Sequence, residues 1–289
     1  MTGVPHSAGT AQPSTAAPAG ACDAHCHIVD PRFPPCGAGG AGGAAGAPVG
    51  MRIEDYQQLQ RRVGTTRAVF VQAKYHGTDH ACLLDAIRRL NGNARGIGVL
   101  HPSVADGELE RLDASGIRGL RFSLWNPADA VVTIDMIEPL AKRIAELGWH
   151  VQLHLSGDQI IEAAPLLALL PCPIVFDHMG RLPPDRGPDH PAFAVIVDLV
   201  SKGRAWVKLA GAYLNTGLGP PYDDATRIAR AYVAQVPERL VWGSDWPHIT
   251  ETHKPDGAAL YDLLAVWAGS DRVRDLILIE NPAELYGFR

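Results

Sequence analysis

From residue 21 onward the chain repeats one unit, a short apolar run followed by an amphipathic stretch. The runs are ACDAHCHIV (21–29), RAVFVQA (67–73), RGIGVL (95–100), IRGLRFSL (117–124), WHVQLHL (149–155), PIVFDHM (173–179), AWVKLAG (205–211) and RLVWGSDW (239–246). They are rich in Val, Ile, Leu and Phe and often bounded by Gly or Pro, which marks buried strands. Helical patterns lie between them: Leu109 and Leu112 before Gly116, Ile144 and Leu147 before Gly148, and Val195 with Leu199 and Val200. Pro139 sits inside TIDMIEPLAKRIAELG, so that helix is kinked or starts near Glu138. From the second run on, successive starts fall 22 to 34 residues apart, the length of a strand plus a helix. Eight strands alternating with helices call for a parallel sheet, and eight is the number that closes a (β/α)8 TIM barrel. A doubly wound open sheet is the alternative, but no GxGxxG follows a strand and no GxxxxGK[ST] occurs.

This pattern places one catalytic-type domain over residues 21–289. The first twenty residues, MTGVPHSAGTAQPSTAAPAG, contain no Lys or Arg and no apolar h-region. A secretory signal is therefore not expected, and a disordered tail is. The Gly/Ala stretch CGAGGAGGAAGAPVG (36–50) cannot bury enough surface to pack. It reads as a flexible loop after strand 1, either a lid or an inert insertion. Five scattered cysteines suit a reducing cytoplasm better than a disulfide framework. Cys22 and Cys26 lack the second Cys pair that a zinc knuckle needs. With 26 Lys+Arg against 31 Asp+Glu, the net charge of −5 gives no basic field for nucleic acid, and no apolar run is long enough to span a membrane. The sequence leaves a homo-oligomer open.

Polar residues fall at the C-terminal ends of the runs, where barrel enzymes build their sites. Strand 1 ends in Asp23-Ala24-His25-Cys26-His27. The i, i+2 spacing points His25 and His27 to one side and Cys26 to the other. Strand 5 carries His154, strand 6 His178 and strand 8 Asp245. Neutral imidazoles plus a carboxylate converging on one barrel mouth are the ligand chemistry of one divalent metal ion, Zn²⁺ foremost.

HxH on strand 1, His on strands 5 and 6 and Asp on strand 8 resemble the amidohydrolase superfamily. DAHCHI, QAKYHGTDH, GIRGLRFS, FDHMGR, LVWGSDWPH and the terminal ENPAELYGF are similar to its 2-pyrone-4,6-dicarboxylate lactonase branch. That branch also holds 4-sulfomuconolactone hydrolase and a galactarolactone isomerase. The pyrone lactonase carries Tyr at the strand 5 position and works without metal. His154 therefore makes this chain resemble the zinc-dependent members, with His25, His27, His154 and Asp245 as ligands. The resemblance implies a lactone hydrolase in which Asp245 moves the water proton and His178 hydrogen-bonds water or substrate. Arg121 is the pocket residue by motif, a guanidinium suited to a carboxylate or sulfonate. Arg118, three residues earlier, points to the opposite face. Lys74, Tyr75, Lys208 and Arg181 are further substrate-binding candidates, and together with Arg121 make an electropositive mouth for a small anionic lactone. Trp125, Trp246 and Tyr213 either line the pocket or pack. The alternatives are an aldarolactone isomerase, an amidohydrolase-type decarboxylase and, in a different class, a non-enzymatic metal-binding protein.

Overall fold

Eight parallel strands follow one another in sequence order around the computed structural model, which describes residues 3–36 and 51–288. They are β1 (Cys22–Cys26), β2 (Arg67–Val71), β3 (Ala94–Gly98), β4 (Ile117–Ser123), β5 (His150–His154), β6 (Ile174–Phe176), β7 (Ala205–Ala210) and β8 (Leu240–Gly243). The eight apolar runs thus become the eight strands, in a (β/α)8 barrel. The ring closes between β8 and β1: Asp245 N–H donates to His25 O at 2.8 Å, and His27 N–H donates to Trp246 O at 2.8 Å. Gly243 permits this approach, since a Cβ there would meet His25 N at 2.8 Å and His25 Cβ at 2.5 Å. The seam that closes the barrel therefore also sets His25, His27 and Asp245 side by side.

The outer helices are α1 (Ile53–Val63), α2 (Ala81–Arg89), α3 (Asp106–Ala114), α4 (Ile137–Ala145), α5 (Gly157–Leu167), α6 (Pro191–Ser201), α7 (Asp223–Gln235) and α8 (Gly257–Ala268). Pro139 falls in the first turn of α4, where its missing N–H costs no hydrogen bond, so the helix starts near it rather than kinking. The core has two layers. The larger packs outward-facing strand residues such as Phe70, Leu120 and Leu153 against the helices. The smaller fills the barrel with Val69, Val71, Ile97, Val175 and Val241, and Tyr286 and Phe288 of the terminal ENPAELYGF segment join it. No helix among the described residues is long and apolar enough to cross a membrane.

The expectation of a disordered tail does not hold for residues 3–20. Pro5 O accepts from Trp246 Nε1–H at 2.8 Å, and Ser7 Oγ accepts from Gly257 N–H at 2.8 Å. Arg62 donates to Ala8 O at 3.0 Å and Ala11 O at 2.7 Å, while its other terminal nitrogen meets Asp256 at 2.6 Å. The segment's own composition carried little packing signal, because three of these four contacts use backbone carbonyls that every sequence possesses. The flexible loop expected over 36–50 lies, Cys36 apart, outside the described residues.

Candidate active site

At the mouth of the barrel, His25 and His27 face the same space with their Nε2 atoms 3.3 Å apart. A register shift in β1 between Asp23 and Cys26 makes this possible. Cys22 and Ala24 face the barrel interior, and simple alternation would carry Cys26 there too. The irregularity reverses the phase, so Cys26 packs in the outer layer and both histidines turn inward. Asp23 holds this corner: it is buried and accepts from Ser244 Oγ at 2.6 Å, Ser244 N at 2.9 Å and Tyr56 Oη at 3.1 Å. Burial pushes its carboxyl up to about 6.

Asp245 follows β8 in a left-handed conformation, with φ +57°. Its Oδ1 lies 3.5 Å from the Nε2 of both His25 and His27. Burial alone would push this carboxyl up, but His178, His27 and His25 around it hold it well below the usual carboxylate range. His178 follows β6 and begins an unbroken left-handed run, with φ +49°, +56°, +72° and +41° from His178 to Arg181. Such backbone on non-glycine residues persists only where the surroundings impose it, and it aims both ends of the run at the cavity. Gly211 leaves room for the ring, since a Cβ there would meet His178 Nδ1 at 2.9 Å. His178 Nδ1 lies 4.0 Å from Asp245 Oδ2 and is buried without a hydrogen-bond partner among the described residues.

Ring protonation decides what the two paired histidines offer. His27 Nδ1 donates to Val71 O at 2.9 Å, because a carbonyl only accepts; its Nε2 is therefore a bare lone pair. His25 Nδ1 lies 3.2 Å from Asp177 Oδ1 and 3.4 Å from Lys208 Nζ. The shorter contact is to the carboxylate, and the ammonium already donates to Ala24 O at 2.8 Å. In the tautomer with its proton on Nδ1, toward Asp177, His25 presents a bare Nε2 to the mouth. In that tautomer two lone pairs and a carboxylate oxygen meet at one point, which is an arrangement for a cation. Tetrahedral ligands at roughly 2.0–2.2 Å from an ion stand roughly 3.3–3.6 Å apart. The observed spacings of 3.3, 3.5 and 3.5 Å fit that geometry. Donor atoms of His25, His178 and Asp245 also gather within 4.8 Å of one another.

His154, expected as the fourth ligand, meets two neighbours on its inner ring nitrogen. It ends β5 as expected, but Arg121 Nη2 lies 3.3 Å from its Nδ1 and Ser123 Oγ 3.0 Å. With Arg121 donating to Nδ1 the ring proton sits on Nε2; with Nδ1 donating to Ser123 Oγ, the shorter contact, Nε2 is a bare lone pair. That Nε2 is buried without a partner among the described residues. His154 therefore faces the cavity through Nε2, beside the close set formed by His25, His27 and Asp245 with His178 next to them. The local sequence gives no sign of the contacts on Nδ1, because both come from the neighbouring strand.

A cavity of about 360 Å³ opens above the cluster, and His27, His154, His178 and Asp245 line it together with Lys74, Tyr75, Trp125, Arg121 and Arg181. Arg181 stacks its guanidinium 4.1 Å over the Trp125 ring. Lys74 Nζ meets Asp129 Oδ1 at 2.5 Å. Arg121 has its Nε on Asp177 Oδ2 at 2.9 Å. Lys208, expected in the mouth, is fully buried below it and is no lining residue; burial lowers its ammonium to about 8. Its strand position turns it inward beneath His25, where carbonyl and carboxylate oxygens satisfy it. Trp246, an aromatic candidate for the lining, is also fully buried and points at Pro5.

Asp177 was not singled out in the sequence. It is fully buried and takes Arg121 Nε, Gln152 Nε2 at 3.1 Å and the His25 contact, with Lys208 Nζ 3.9 Å away. Burial opposes its charge, yet His25, Arg121 and Lys208 hold it well below the ordinary carboxylate range. The signal available was its place in FDHMGR, one residue past β6, where a side chain returns to the barrel axis.

Residues 22–288 match the family model described as amidohydrolase. The 4-sulfomuconolactone hydrolase of Rhizobium radiobacter is 34% identical over 95% of this chain and 92% of its own length. The 2-pyrone-4,6-dicarboxylate hydrolase of Comamonas testosteroni is 31% identical over 96% of this chain and 94% of its own. The D-galactarolactone isomerase of Agrobacterium fabrum is 30% identical over 96% and 94%.

Proposed function

The chain belongs to the amidohydrolase family, and from that premise we propose that it is a hydrolase that opens the ring of a small anionic lactone. One observation carries the reading: Asp245 Oδ1, 3.5 Å from the Nε2 atoms of both His25 and His27, lies at a cavity whose wall carries Arg181 and Lys74. Two relatives named as lactone hydrolases support it.

His25, His27 and Asp245 would hold one divalent ion, with His178 at its side, and their nitrogen and oxygen donors suit zinc. When bound, zinc supplies a Lewis acid for the carbonyl and makes water acidic near pH 7. In the tautomer in which Arg121 donates to its Nδ1, His154 Nε2–H donates to substrate and does not bind metal. His154→Gln keeps an N–H near that position and is expected to retain wild-type metal content, while His27→Gln loses most of it. Loss of metal from purified His154→Gln, measured by elemental analysis, would return His154 to the ligands.

The chain's own residues then account for the proton. Water oxygen bonds to the lactone carbonyl carbon, and its proton passes to Asp245. The ring C–O bond breaks, and Asp245 returns the proton to the departing oxygen. Arg181, held flat by Trp125, and Lys74 orient the substrate's carboxylate or sulfonate. Arg121 contributes less than its motif implied, since Asp177 and His154 occupy two of its nitrogens. The test is a panel of 4-sulfomuconolactone, muconolactones and pyrone dicarboxylate, with a neutral lactone as control, monitored by acid release. Arg181→Met is expected to raise KM about 10-fold or more for the anionic lactones, one charge-assisted contact's worth, and little for the neutral one. Equal changes on both would remove Arg181 from the anion site.

A lactone isomerase is the second reading, favoured by the relative of that name. It requires a substrate hydroxyl to attack in place of water.

A further inference from the structure

The two oxygens of Asp245 have different neighbours, and the difference is built by residues the proton transfer does not use. Oδ1 faces the histidine pair. Oδ2 accepts from Tyr213 Oη–H at 2.6 Å, a short charge-assisted bond. Tyr213 sits in the turn Ala212–Leu214 just after β7. Its hydroxyl oxygen is also 3.0 Å from His248 Nδ1. A tyrosine hydroxyl has one proton, and a carboxylate has none to give. The Tyr213 proton therefore points at Asp245, and its oxygen accepts from His248 Nδ1–H. His248 is brought there by a tight turn, in which its N–H donates to Asp245 O at 2.9 Å and its own φ is +55°. His248 is fully buried, lies outside the cavity lining and has no hydrogen-bond partner for Nε2 among the described residues.

We propose that Tyr213 and His248 are positioning residues: His248 fixes the direction of the Tyr213 proton, and Tyr213 fixes the plane of the Asp245 carboxylate, so that one oxygen faces the histidine pair. Without the hydroxyl, the carboxylate is free to turn about its Cβ–Cγ bond, and only part of the population holds the productive plane. This rests on the reading that Asp245 moves the water proton. Mere packing would leave a phenylalanine at position 213 as good as tyrosine, since the ring contact with His248 at 5.4 Å survives the change.

The test uses the metal-loaded full chain and the best lactone of the panel. Tyr213→Phe is expected to lower kcat about 10- to 100-fold, the usual effect of losing a partner that orients a metal-site group, with KM within about twofold. His248→Asn, which keeps an N–H near the Nδ1 position, is expected to retain more kcat than His248→Ala. Nitrogen-15 NMR of the histidine rings supplies a readout apart from activity. His248 is expected as the Nδ1–H tautomer in the wild type and as a mixture in Tyr213→Phe. An Nε2–H tautomer in the wild type, or a Tyr213→Phe kcat within twofold of wild type, overturns the proposal. Asp245→Asn separates the two failures: inactive Asp245→Asn beside fully active Tyr213→Phe refutes the positioning alone, whereas active Asp245→Asn refutes the hydrolytic reading beneath it.

Discussion

Asp245→Asn is expected to fold as the wild type does and to lose turnover by about 10²- to 10⁴-fold, the usual contribution of a positioned acid–base group. The amide fits the same space, and its oxygen still accepts from Tyr213, so the turn after β8 keeps its hydrogen bond. What the amide lacks is a site for the water proton. His178, the other titratable group near Oδ2 on the cavity wall, lies 4.0 Å away with its imidazole shifted below its ordinary range by burial. It is poorly placed to replace the carboxylate. The Nε2 atoms of His25 and His27 remain, so some metal is expected to be retained, and the deciding quantity is turnover per bound metal across pH. Activity per metal near the wild-type value would make Asp245 a ligand and not the base.

Asp177→Leu is expected to cost about 3–5 kcal/mol of stability, because it leaves buried cations without their counter-charge. Arg121 and Lys208 both converge on this carboxylate, and both are buried. Lys208 keeps its bond to Ala24 O, but a carbonyl does not neutralise an ammonium. The double variant Asp177→Leu with Lys208→Met removes one of the stranded charges and is expected to recover part of the loss, a coupling that urea denaturation reads directly. A loss below about 1 kcal/mol in the single variant would mean that water, not Asp177, satisfies these cations. The same carboxylate orients His25, so Asp177→Leu should also weaken metal binding about 10- to 100-fold.

The barrel was legible because its signal is periodic and local. Buried parallel strands read as apolar runs, and their spacing counted eight βα units. The HxH pair was legible for the same reason, since alternation along a strand is a property of neighbours in sequence. What escaped depends on contacts across strands. The irregularity in β1 that turns His25 inward is set by its pairing with β2, and the sequence pattern around Asp23 looks like uninterrupted strand. Strand position says which way His154 points and nothing about which ring nitrogen a neighbour will occupy. Arg121 and Ser123, at the end of β4, are the neighbours on its Nδ1. Lys208 was read as a cation of the mouth, and only its oxygen partners beneath His25 show that it lies buried below it. Asp177, Tyr213 and His248 each owe their roles to partners at least 32 residues away, at 3.2 Å or less.

Water attack on a lactone carbonyl makes one prediction that no rearrangement shares. Turnover of the best anionic lactone in ¹⁸O-labelled water, followed by mass spectrometry of the product, should give an open-chain hydroxy acid or its keto form with one labelled oxygen in the new carboxylate. An unlabelled product of the same mass as the substrate, with the lactone moved to another hydroxyl, would contradict hydrolysis and establish the isomerase instead.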